Sequence, residues 1–426
     1  MSTADSKIDN ESGAGDIKTN ILIIGGAYAG LSAVRCLAHH IESIRMDSVY
    51  KDVLASHEIH ITLVEPRCGL LNILGIPRAI VDTEFARTQY VPFDELEGVQ
   101  FDRVVSESVV SSVRADANAG KGYSLTFVHG KVTYVDEEKA RYELVKETGE
   151  GREGTIAFDY VVVASGRNRS WPTTPLGYTL DSFLREMDGS KKEIETNDII
   201  TVVGAGAVGI EIAGDIKHYA PSKTVNLVHA HKTFPPEPLS REFQDLALDS
   251  LVRSGVNVHL NTRIAKELPG GDLQTVDGNI IKSQLNYWCS SHSNNIEFLA
   301  DSLKKEFVTP KNNVLVNEYM QLLNKDKKLQ HFFCIGDIVE LPIIKSAGWA
   351  MYMGRQVATN LISLMLSNTL VEPFPDLSQM PRGMVLVAGN GEIVSELGGE
   401  VELNHKGYSQ EYEDYCMGKI RATIGV

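Results

Sequence analysis

The chain has 426 residues, 43% of them apolar, and a formal charge of −15. That length suits two or three domains of roughly 150 residues each, and the apolar share excludes a disordered chain. So acidic a balance argues against general nucleic-acid binding, and no uninterrupted apolar run reaches the roughly 18–20 residues of a membrane helix.

The first segment, "MSTADSKIDNESGAGD", is polar. It has no apolar core for a secretory signal and too many acids for a transit peptide. Ser2 does not fit the myristoylation pattern. Residues 1–17 read as a flexible tail, and the cytoplasm is the expected compartment.

"NILIIGGAYAGLSAVRCLA", residues 20–38, is an apolar β-type run, a glycine turn and a helical pattern. The turn offers Gly25, Gly26 and Gly30, but Ala27 stands where a G-x-G-x-x-G motif has its middle glycine. In that motif the first glycine permits the turn and the second admits a pyrophosphate. The third lets helix and strand pack closely. An acid at the end of the next strand should hold ribose hydroxyls. "HEIHITLVEPR" supplies Glu65, later than usual because residues 39–57 read as an insertion or helix extension.

The layout recurs in "IITVVGAGAVGIEIAGDIK", residues 199–217, with all three glycines: Gly204, Gly206 and Gly209. Its next strand, "TVNLVHAHK", ends at His229, with His231 and Lys232 behind it and no carboxylate. A carboxylate there repels a 2′-phosphate, so its replacement by neutral or cationic donors leans towards NADPH or dual use. An unperturbed histidine titrates near pH 6.5, so a protonated His229 or His231 would favour NADPH more at pH 6 than at pH 8. One chain with two half-sites of different selectivity implies two dinucleotides, a bound FAD and a diffusible nicotinamide. Ala27 adds one methyl on the pyrophosphate side of the first.

Two more segments follow the same logic. "FDYVVVASGRNRSWP" is an apolar strand running into Ala164-Ser165-Gly166, and "HFFCIGDIVELPIIKSAGWAMYMGRQVATNLI" is a strand, then Gly336-Asp337, then a helix. This ordered set resembles the FAD/NAD(P)-dependent pyridine-nucleotide oxidoreductases. Within them it resembles the apoptosis-inducing-factor-like branch, which includes ferroptosis suppressor protein and fungal relatives, and more distantly the type II NADH dehydrogenases. The resemblance covers about residues 19–366. It implies that Gly25, Gly26 and Gly30 cradle the FAD pyrophosphate, that Glu65 holds the adenosine ribose with Arg67 nearby, and that the Val132 backbone meets the adenine. It also implies that "GIPRAIV" brings Arg78 near the flavin and that Asp337 accepts from the ribityl chain. Ser165 departs from the family's threonine but keeps the hydroxyl.

For the chemistry, Lys345 stands just before a helix expected to start near Ser346. It is a candidate electrostatic stabiliser of the reduced flavin's anionic end; otherwise it is a loop lysine. Glu211 falls in the first turn of the second glycine-turn helix. By position it caps the helix dipole; the resemblance implies instead that it points at the nicotinamide ribose or the flavin edge, where it would pair with Lys345. Trp349, Tyr352 and Met353 form either a core stripe or the wall of an acceptor pocket.

The five cysteines (Cys36, Cys68, Cys289, Cys334 and Cys416) include no C-x-x-C or other close pair. Disulfide reductases use such a pair, and iron–sulfur or zinc sites use closely spaced sets. The resemblance then points to a small apolar, quinone-like acceptor. Rival readings are a reductase for a protein redox partner and a flavin- and NAD(P)H-binding signalling protein. The expected architecture is α/β with two Rossmann-like domains. Residues 18–197 and 311–370 form an FAD-binding domain, 198–310 an NAD(P)H-binding domain, and 371–426 a small α+β segment. That segment would cover the acceptor side, make a homodimer contact or touch a membrane surface.

Overall fold

A computed structural model describes residues 17–47, 57–108, 110–111, 117–146, 149, 151–290, 292–377 and 383–426. The tail expectation for residues 1–16 and part of the insertion, residues 48–56, lie outside the described residues. Up to that gap, the insertion extends the first helix to Met46.

The larger sheet has a parallel centre. Its order is Lys327–Cys334, Tyr160–Val163, Ile17–Ile24, His57–Glu65, Tyr123–Val135, with Gln321–Asn324 and Arg103–Val105 outside them. Ile21, Leu22, Ile23, Val161, Val162, Val163, Phe332 and Phe333 are all buried, as strands covered on both faces require. Helix Tyr28–Met46 packs on this sheet and against helix Ala347–Ser367 so closely that a Cβ on Gly354 would lie 2.2 Å from Ala29 O.

The second sheet is also parallel, in the order Asn257–His259, Thr224–Val228, Ile199–Val203, Leu285–Trp288. Helices Ala207–Tyr219 and Arg241–Ser254 cover it. The two cores divide the chain differently from the sequence boundaries. Helix Leu180–Thr196, assigned to the FAD domain, buries Phe183, Met187 and Ile194 in the second core. Ile296, Leu299, Leu303 and Phe307, assigned to the NAD(P)H domain, belong to the first. The chain crosses between the cores along an antiparallel ribbon of Arg167–Arg169 and His292–Asn294.

The C-terminal segment straps the two units together. Strands Met384–Val387, Ile393–Leu397 and Glu400–Leu403 form a meander. A Cβ on Gly214 would lie 2.3 Å from Ala388 O, and one on Gly389 2.2 Å from Ser250 O, so the meander lies directly on the second unit's helices. Helix Met417–Ile424 instead buries Ile420 and Ile424 in the first core. These apolar side chains are therefore consumed within the chain. Among the described residues no helix is long and apolar enough to cross a membrane.

Candidate dinucleotide sites and their junction

The two glycine turns have nearly the same backbone. Gly25 has φ +105° and donates its N–H to Val64 O (2.9 Å); Gly204 has φ +108° and donates to Val228 O (2.8 Å). Only glycine adopts this conformation without strain. The third glycines are closer still to a neighbour. A Cβ on Gly30 would lie 1.8 Å from Gly25 O, and one on Gly209 1.9 Å from Gly204 O. The middle position differs in kind. A Cβ on Gly206 meets nothing within 4 Å, so the fold itself does not require glycine there. Ala27 occupies this position in the first turn, exposed and with an ordinary φ of −93°. Its methyl therefore costs the fold nothing.

Each second-strand end reaches back to its turn. Glu65 is buried, accepting from Gly26 N–H at Oε2 (2.7 Å) and Arg67 N–H at Oε1 (2.9 Å). A carboxylate has about four lone-pair positions, so two remain for ribose hydroxyls. With the helix N-terminus beside it, this donor and acceptor set fits an adenosine diphosphate moiety. His229 takes the matching place in the second site, where its Nδ1 accepts from Ala205 N–H (3.3 Å). That bond puts the ring proton on Nε2, which is buried and makes no well-formed hydrogen bond, the Thr233 backbone being only a weak partner of the ring. Burial, helped by His231, lowers the His229 pKa below its ordinary value. The sequence-based expectation that His229 charges near pH 6.5 is thereby corrected: a neutral donor faces the site.

The remaining sequence candidates scatter more. Val132 is buried on strand Tyr123–Val135. The Arg67 guanidinium donates to Pro175 O (2.7 Å). Ala164 is buried at the end of its strand, Ser165 Oγ donates to Asn295 O (2.6 Å), and Gly166 has φ +65°. Arg78 lies between Phe85 and Tyr219 and donates to Glu413 O (3.0 Å), so it holds the C-terminal segment against the second unit. Met353 is core, with its Sδ near Gly336 N–H (3.3 Å), while Trp349 and Tyr352 pack against Phe374.

Glu211 and Lys345 have separate partners. Glu211 is buried under the C-terminal meander, accepting from Val387 N–H (3.3 Å). Burial, with nearby Asp215, raises its pKa to about 8. Asp215, one turn on, accepts from the Tyr415 hydroxyl, and burial raises its pKa to about 7. Lys345 donates to Val339 O (2.6 Å), and burial lowers its pKa to about 8 against the pull of Asp337. Asp337 forms an ion pair with Arg167 (Nε to Oδ2, 3.1 Å), and Arg167 also donates to Asp337 O (2.8 Å).

Of these groups, Arg167 and Lys345 line a cavity of about 830 Å3. It is lined by the Gly204–Val208 turn, His229, His231, Arg263 and Trp288 of the second unit, together with Arg167, Arg169, His292 and Lys345. The sequence reading missed the two arginines, although both stand in the quoted "ASGRNRSWP". Their i, i+2 spacing on a strand places them on one face.

Two glycine turns of the same build in one chain fit an oxidoreductase that pairs a bound dinucleotide with a diffusible one. The pyridine nucleotide-disulphide oxidoreductase family matches residues 19–354. The chain belongs to this family of NAD(P)H-dependent flavoprotein oxidoreductases, whose cofactors are FAD and NAD(P)H. It is 28% identical over 398 residues to "Oxidoreductase OXR1" of Ajellomyces capsulatus, covering 88% of this chain and 80% of that one. It is 24% identical to "Apoptosis-inducing factor homolog A" of Dictyostelium discoideum (89% and 88% covered). It is 21% identical to human "Ferroptosis suppressor protein 1" (84% and 83%). In fold it is similar to NDH2 from Plasmodium falciparum in complex with NADH, with a TM-score of 0.66 at 12% identity and 96% of each chain covered.

Proposed function

We propose that the chain takes a hydride from NAD(P)H to FAD and passes electrons to a small quinone-like acceptor. The observation that supports this best is the cavity that begins at the second glycine turn: Lys345 and Arg167, the partner of Asp337 in the flavin motif, line its wall. FAD, when bound, supplies the hydride acceptor and the electron store. Gly25, Gly30, Glu65 and Asp337 would hold it. Lys345, pulled towards neutrality by burial, regains its proton most easily when negative charge arrives beside it. It would then stabilise the reduced state.

His229 would read the adenosine 2′ position. A neutral N–H donates to a hydroxyl or to a phosphate, and no carboxylate repels the latter, so NADPH is accepted at least as well as NADH. The acceptor class rests on the family resemblance and on the cysteines, all five of them free thiols. Cys289 lies against the second glycine turn, and burial pushes its pKa up to about 12, far from a reactive thiolate.

The test is anaerobic mixing of the purified yellow protein with NADPH or NADH, followed by a soluble quinone. The flavin absorbance should bleach within seconds and return with the quinone. A flavin that neither coenzyme bleaches would refute the reading.

A further inference from the structure

Arg167 and Arg169 line the same cavity from the ribbon that joins the two units, but only one of them is committed. Arg167 is tied to Asp337. The Arg169 guanidinium has no hydrogen-bond or ion-pair partner among the described residues. Its backbone is fixed by the ribbon and by a bond from its N–H to Thr174 Oγ1 (2.8 Å). An arginine held at its root and free at its tip is placed for a ligand.

Its surroundings indicate which ligand. Arg169 lowers the pKa values of both Glu211 and Cys289 through its charge. Both residues flank Gly209: Glu211 is two residues on, and a Cβ on Gly209 would lie 3.3 Å from Cys289 Cβ. The guanidinium therefore stands near the first turn of helix Ala207–Tyr219, beside the open space over Gly206. The cavity also holds two unsatisfied buried atoms, the His229 Nε2 donor and the Glu237 Oε2 acceptor. Unpaired buried polar atoms are rare in folded proteins. The His229 donor and the uncommitted cation suit phosphate oxygens, and the Glu237 acceptor suits a sugar hydroxyl, so a sugar–phosphate ligand would complete all three.

We propose that Arg169 clamps the pyrophosphate of the nicotinamide dinucleotide over the glycine turn, reaching it from the ribbon that joins the two units. This rests on the dinucleotide reading of the cavity. Its planar fork suits two phosphate oxygens, which a lysine would meet only as a point charge. Because the pyrophosphate is common to both coenzymes, the clamp sets affinity and not coenzyme choice. It also ties the bound coenzyme to the ribbon whose other arginine holds Asp337.

The test is calorimetric titration of NAD+, NADP+ and ADP-ribose into flavin-loaded wild type, Arg169→Met and Arg169→Lys, at two salt concentrations. The methionine variant should keep its flavin and lose roughly ten- to a hundredfold in affinity for all three ligands. Its dependence on salt should become shallower, and the lysine variant should recover part of the loss. Methionine-variant affinity for ADP-ribose within twofold of wild type would overturn the clamp. So would a loss confined to NADP+, which would make Arg169 a 2′-phosphate reader. Wild type that binds none of the three would overturn the dinucleotide reading itself, a result seen in a different arm.

Discussion

The two glycine turns share a backbone and differ at three matched positions around it. Gly25 and Gly204 have the same left-handed φ and the same bond to the neighbouring strand. Glu65 and His229 accept from the same position of the turn, one as a doubly bonded carboxylate and the other through a single ring nitrogen. Ala27 and Gly206 differ by a methyl that faces open space. Two residues beyond the third glycine, Ser32 donates to Met351 O (2.8 Å), while Glu211 lies buried beneath the C-terminal meander. The turn backbone is common to the two halves, while the strand end, the middle position and the packing of the helix's first turn are not.

The sharpest way to break this comparison is to alter what both halves need. Gly30→Ala and Gly209→Ala would each drive a methyl into a carbonyl oxygen of its own turn. Each should cost about 3 kcal/mol or more, read as a large fall in urea midpoint. Survival of either variant at wild-type stability would mean that the turn relaxes and is not a shared requirement.

The strand ends should separate next. Glu65→Ala leaves two backbone N–H groups without their acceptor and should cost about 1–3 kcal/mol together with loss of flavin on gel filtration. His229→Ala removes one long bond and should cost about 1 kcal/mol or less, with flavin retained.

The buried acids of the second half predict a pH effect that the first half lacks at Ser32. Glu211 and Asp215 have pKa values raised to about 8 and about 7 in the folded chain. The folded state keeps protons that the unfolded chain releases above the ordinary carboxylate range. Their contribution is therefore fully present below about pH 4.5 and lost as pH rises to about 8. Urea midpoints should fall across that window, and Glu211→Gln should flatten the slope. Arg78, Tyr412, Tyr415 and Arg169 act on the same acids, so the charge of the whole strap enters the measurement.

The smallest effect belongs to the middle position. Gly206→Ala should leave stability unchanged or raise it by about 0.4–1 kcal/mol and weaken NADP+ binding several-fold. Ala27→Gly should leave FAD as tightly held or tighter. Loss of flavin from Ala27→Gly would show that the methyl supports a different phosphate path.

Much of this was legible in the sequence because it depends on local backbone chemistry. Glycines at Gly25, Gly30, Gly204 and Gly209, an apolar run before each turn and an acid or its absence after the next strand are short-range patterns. The start of helix Ala347–Ser367 at its Ser346 cap was legible for the same reason. What escaped was set by contacts between distant segments. Glu211 looks like a site residue by its spacing, but its environment is made by Val387 and the strap, more than 170 positions later. Arg78 looks like a flavin neighbour by family pattern, yet its partners are Tyr219 and Glu413. Whether His229 is charged depends on burial, which no strand-end motif records.

Under the proposed function the first half holds the flavin and the second the nicotinamide coenzyme, each through its own strand end. The most direct test is titration of NADP+ into Glu65→Ala and His229→Asp after their flavin content has been measured. Glu65→Ala should emerge depleted of flavin yet bind NADP+ with wild-type affinity. His229→Asp should emerge fully yellow and bind NADP+ at least tenfold more weakly, with NAD+ little changed, because a carboxylate then faces the 2′-phosphate. If His229→Asp sheds the flavin, or Glu65→Ala loses NADP+ while folded, the two halves do not have the separate ligands assigned to them.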